Sequence, residues 1–115
     1  MIAVIFEVFP KSEKRDAYLA MAADMKALVS EIDGFISVER FESLTTPGKL
    51  LSLSIWRDEA ALEEWRRLSG HRAAQKAGRE VMFDDYRLRV VSVIRDYGMF
   101  ERHEAPEDSK EALGS

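Results

Sequence analysis

The chain reads as an α+β domain with the order β-α-β-β-α-β, and three observations predict it. Four stretches run or alternate apolar at strand length: Ile2 to Phe9, Phe35 to Leu44, Leu50 to Trp56 and Tyr86 to Tyr97. Two segments with apolar residues at helical spacing separate the first strand from the second and the third from the fourth. Turn chemistry at Pro10, at Asp33-Gly34 and at Thr45-Thr46-Pro47-Gly48 divides them.

Ile2 to Phe9 is almost wholly apolar, which suits a central strand covered on both faces. Pro10 ends it, because proline has no N–H for the ladder. Ser12 is placed to cap a helix whose stripe is Tyr18, Met21, Ala22, Met25, Leu28, Val29 and Ile32. Asp33-Gly34 stops that helix. In the second strand, strict alternation puts Ile36, Val38, Arg40 and Glu42 on one face and Phe35 and Phe41 on the other. The third strand sets Leu51, Leu53 and Ile55 against Ser52, Ser54 and Trp56. Asp58 caps the second helix, with Glu59 in its first turn and Leu62, Trp65 and Leu68 on its buried stripe. Ser69-Gly70 interrupts it, and a short helix from His71 to Ala77 follows, closed by Gly78. Phe83 anchors the chain before a turn at Asp84-Asp85. In the last strand Arg87, Arg89 and Arg95 share a face, with acids such as Glu39 as their expected partners.

This order is the ferredoxin-like plan, a four-stranded antiparallel sheet with helices on one face. The other sheet face also carries apolar residues, and a two-fold homodimer with facing sheets would cover them. Residues 1–100 form the domain. Residues 101–115 carry five acids against two bases and almost no apolar residue, and are expected to form a mobile tail.

A chain of 115 residues supports one domain rather than two. Its net charge of -4, with bases scattered among acids, argues against a nucleic-acid partner. The absence of cysteine excludes disulfides, thiolate catalysis and cysteine-held metals. No apolar run reaches the roughly 20 residues needed to span a bilayer, and the first residues read as a strand rather than a leader. A cytoplasmic protein is expected, with no membrane partner.

The segment IWRDEAALEEWRRLSGH, with Trp56 ending a strand, Trp65 nine residues on, then His71, and a closing Arg95-Asp96-Tyr97, resembles the antibiotic-biosynthesis monooxygenase (ABM) domain superfamily. The resemblance covers roughly residues 1 to 100. It implies a homodimer whose sheets face each other as a barrel, and a pocket in each protomer between sheet and helices. Members include cofactor-independent oxygenases of phenolic or quinol-type aromatic compounds, and haem-degrading enzymes. In the haem branch a histidine ligand lies ten residues after the equivalent of Trp65, and an asparagine in the first strand. This chain has Gln75 at the former and no asparagine in IAVIFEVF, which disfavours haem, since glutamine is a poor iron ligand beside imidazole.

The functional expectation is therefore a cofactor-independent monooxygenase using O2 on a small aromatic molecule, with no metal and no cofactor. His71, at a helix start where the dipole favours the neutral ring, is the candidate catalytic base. Trp56 and Phe6 are candidate pocket walls, and Arg79 and Tyr86 candidate donors to the substrate oxygen. Trp65, on the helical stripe, reads as structural. Two alternatives stand beside this: a non-catalytic dimeric module that binds a small molecule, and a haem-binding protein.

Overall fold

The computed structural model describes residues 1–68, Lys76 and residues 81–113. The elements follow the expected order: β1 (Ile2–Pro10), a 3-10 turn (Ser12–Lys14), α1 (Arg15–Val29), β2 (Phe35–Glu42), β3 (Leu50–Trp56), α2 (Glu59–Arg67) and β4 (Phe83–Ser92). A further short helix, α3 (Glu107–Leu113), lies after the sheet. The four strands form one antiparallel sheet of order β2-β3-β1-β4, the ferredoxin-like arrangement.

β1 is central, paired with β3 on one side and β4 on the other, as its apolar run requires. α1 and α2 pack on one face of the sheet and leave Tyr86, Leu88 and Val90 of β4 exposed on it. One core cluster joins Val4 and Trp56 of the sheet to Val29, Ile32, Ala61, Leu62 and Trp65. A second gathers Val8, Tyr18 and Leu50, with Phe6, Met21, Met82 and Phe83 packed against them. The opposite sheet face presents half-buried Ile5, Leu51, Leu53 and Ile55. On that same face Glu7 bridges Lys49 at 2.6 Å and Arg89 at 3.0 Å. Arg89 thus finds its acid in Glu7 rather than Glu39, because β4 lies beside β1 and not beside β2.

Four local readings are corrected. Ser12 does not cap α1: it opens the 3-10 turn, and its hydroxyl reaches Glu13 at 3.4 Å. α1 ends at Val29, and Ile32 is buried from a turn in which its N–H bonds the Val29 carbonyl at 3.1 Å. β2 carries a bulge: Phe35 pairs with Trp56 and Ser37 with Ile55, so Ile36 is an extra residue. The bulge turns Phe35 to the same side as Val38 and Arg40, where strict alternation had put it opposite. β4 runs from Phe83 to Ser92 rather than from Tyr86 to Tyr97. β1 sets both limits, since Pro10 pairs with Phe83 at one end, past a shift in register after Phe9, and Ile2 with Ser92 at the other. Past Ser92 one further bond, from the Val93 N–H to the Met1 carbonyl at 3.0 Å, ends the pairing with the β1 segment.

Gly34 ends the α1–β2 turn at φ 93°, a left-handed conformation suited to glycine. Its carbonyl accepts the Arg57 N–H at 2.7 Å. A Cβ there would lie 2.8 Å from Ala61 Cβ, so the missing side chain lets α2 approach. Asp58 caps α2 as its position predicts, accepting the Ala61 N–H at 2.9 Å. The expected short helix from His71 to Ala77 lies, but for Lys76, outside the described residues. The segment after β4 is not featureless: Ala105 is buried, Arg102 lies over the Tyr97 ring at 5.6 Å, and α3 follows.

Candidate functional site

The two core clusters do not meet. Between them, under α1 and α2, lies a cavity of about 230 Å³. Several waters would fit in it at about 30 Å³ each, far more than a packing defect holds. Its origin is legible along β3. Ser52 and Ser54 stand between buried Leu50 and Trp56 on the helix-facing side, and small side chains there leave volume unfilled. Met21, Ala22 and Met25 of α1 lie across the gap.

The walls are mostly aromatic and aliphatic. At one end Trp56 meets Phe35 edge-on, with ring centroids 5.3 Å apart, and Trp65 and Leu62 of α2 lie beside them. At the other, Phe83 sits 6.0 Å from Phe6 and 5.3 Å from Tyr18 between ring centroids. Val4, Leu88 and Val90 extend the sheet side of the lining.

Polar groups are few. The Trp56 indole N–H donates to Ser54 Oγ at 2.9 Å. That bond leaves the Ser54 hydroxyl proton able to turn elsewhere. Arg40 of β2, opposite Ser52 in the ladder, also lines the cavity, and its Nε is buried without a hydrogen-bond partner among the described residues. Lys26 and Arg66 stand at the rim, both exposed. Among the described residues no group of three or more His, Cys, Asp or Glu side chains is gathered.

The structure brings Trp56 and Phe6 to the cavity, two of the residues singled out from the sequence. Trp65 is buried in the core as expected of a stripe residue, yet one side of it also faces the cavity. Tyr86 is not among the lining residues. It packs on Phe6 at 5.6 Å between centroids, and lies further along the strand, opposite Val8 rather than Phe6. His71 and Arg79 lie outside the described residues. Sequence reasoning missed Arg40, Tyr18 and Phe35. An arginine following Ile36 and Val38 on one face of β2 was the available signal for the first; the bulge hid Phe35.

The comparisons agree with this architecture. The family model described as antibiotic biosynthesis monooxygenase matches residues 1–77. Over 93 residues, 81% of this chain, the sequence is 46% identical to a protein of Pyricularia oryzae named jasmonate monooxygenase ABM. The match takes in 43% of that protein, so the chain spans less than half of its relative's length. It is also 34% identical, over 81% of its length, to the uncharacterized protein YqjZ of Bacillus subtilis, of which 79% is matched. The solved structure of Rv0793 from Mycobacterium tuberculosis shares the fold, with a TM-score of 0.75 at 23% identity over 84% of this chain and 98% of that one. Among the described residues no helix is long and apolar enough to cross a membrane. Sequence, strand order and the cavity between sheet and helices converge on one assignment: this chain belongs to the antibiotic biosynthesis monooxygenase family.

Proposed function

We propose that this protein is a cytoplasmic, homodimeric monooxygenase that oxidises a small phenolic or quinol-type aromatic compound with O2, without metal or flavin. The observation that carries the reading is the cavity: about 230 Å³, walled by Phe6, Tyr18, Phe35, Trp56 and Trp65, with few polar groups. Such walls suit a flat ring.

The chemistry asks little of the protein. A base removes the phenol proton, and the electron-rich anion passes one electron to O2. The radical and superoxide then join in a carbon–oxygen bond. Cleavage of the O–O bond, with loss of water, leaves a quinone. His71 is the base in this proposal, and Trp56 and Phe6 are the pocket walls. Arg79 and Tyr86 stand as donors to the substrate oxygen, Tyr86 requiring approach from outside the lining. The half-buried apolar face of β1 and β3 supports pairing of two sheets in a dimer.

Oxygen uptake with a panel of quinols and anthrones tests this, wild type beside H71A. Uptake with quinone formation by the wild type, reduced by about two to four orders of magnitude in H71A, is the expected result. Uptake unchanged in H71A removes the base assignment. A compound that raises the melting temperature but is recovered unaltered makes the protein a binding module instead. The Pyricularia relative favours a second substrate reading, a jasmonate, which belongs in the same panel.

A further inference from the structure

The charges around the cavity do not reflect the chain as a whole. The protein carries 21 acidic residues against 17 basic ones, yet no Asp or Glu is among the described residues lining the cavity, while Lys26, Arg40 and Arg66 are. None of these three side chains forms an ion pair or hydrogen bond among the described residues. Lys26 and Arg66 are exposed and solvated at the rim. Arg40 is different, because its Nε is buried and has no acceptor.

A guanidinium donor left unsatisfied away from water is costly, and folded chains rarely keep one without a use. The side chain that carries it lines a cavity large enough for a ligand, across the ladder from Ser52, with Ser54 at the next helix-facing position of β3. Ser54 Oγ already accepts from the Trp56 indole, so its own proton is available as a second donor. The cavity therefore has one polar strip of donors, Arg40 with Ser52 and Ser54, set in apolar and aromatic walls. An acceptor carrying negative charge satisfies that strip best.

We propose that the cavity selects an amphipathic anion: a flat apolar body against Phe6, Trp56 and Trp65, and an oxyanion, carboxylate or phenolate, held by Arg40. This rests on the cavity being the substrate site, and deepens that reading by naming the class of compound admitted. Arg40 would be the anchor that sets the ligand's direction in the cavity. Lys26 and Arg66 would raise the local concentration of anions at the rim, in a salt-dependent way.

The test is calorimetric titration of the purified protein with cinnamate and with its neutral amide, cinnamamide, for wild type, R40M and R40K. Cinnamate should bind wild type about tenfold more tightly than the amide, or better. R40M should lose that preference while binding the amide as before. It should melt no lower than wild type, since it removes an unsatisfied donor. R40K, which keeps the charge but lacks Nε, should fall between; if R40M does not fold, R40K carries the comparison. A parallel titration with para-nitrophenol, whose ionised form absorbs in the visible, separates the two oxyanions. Bound phenolate lost in R40M assigns a phenolate site, and preference for cinnamate alone assigns a carboxylate site. Equal binding of cinnamate and its amide together with binding of neutral para-nitrophenol, or a preference that survives in R40M, overturns the proposal. Neither probe needs to be oxidised, so a protein that consumes no oxygen with any quinol still gives a clear answer here.

Discussion

Gly34 shows how much one residue can hold in place. Its φ of 93° is one that a side chain resists, and a Cβ would press on Ala61 at 2.8 Å. Ala61 is buried in the first turns of α2, which carries Leu62 and Trp65 to the cavity. G34A should therefore lose about 2 kcal/mol or more of unfolding free energy, read from urea melts. It should also weaken ligand binding as α2 shifts; wild-type stability in G34A would mean the turn relaxes freely. Arg40 makes the complementary point. Its type and position were plain in the sequence, but a charged residue on a strand usually reaches solvent. Among the described residues, the burial of its Nε separates it from the other arginines.

At the scale of the element, α2 depends on its cap. The Asp58 carboxylate is held below the usual aspartate range, first by the Ala61 N–H it accepts and then by Arg57, whose Nε lies 2.9 Å away. A carboxylate with a depressed folded-state pKa stabilises the protein above its unfolded value, about 3.9. That stabilisation is lost as pH falls from there through the folded value. D58A should lower the melting temperature at neutral pH and flatten its acid dependence, whereas D58N, which keeps a capping oxygen, should recover most of the neutral-pH loss. Thermal melts from neutral pH down to the acid limb check both; an unchanged acid limb in D58A would place the pH dependence elsewhere. The cap was legible because Asp-Glu before an apolar stripe is a local signal. The ends of β4 were not, because they depend on where β1, some eighty residues earlier in the chain, offers pairing groups.

For the whole molecule, the open sheet face is the surface on which the proposed dimer is tested. Ile5, Leu51, Leu53 and Ile55 form its apolar centre, beside the Glu7–Lys49–Arg89 cluster. If two copies pair through this face, L53D should convert the dimer to a monomer in light scattering while leaving the helix-side core intact. A wild type that is already monomeric would instead leave this face to some other partner.

What the sequence determined by itself is what short-range chemistry controls: strand and helix order, the Asp58 cap, the Gly34 turn, and a β3 face that combines two serines with a tryptophan. These follow from spacing and residue type within a few positions, which the folded chain cannot rearrange cheaply. The tertiary structure decided what depends on distant pairing. The β2 bulge turned Phe35 toward the cavity, the register against β1 set the limits of β4 and left Tyr86 outside the lining, and the fit of α1 over Ser52 and Ser54 left a gap between two cores. That gap exists because small residues on one strand face bulky ones on a helix some thirty residues earlier, and no local pattern records the distance between them.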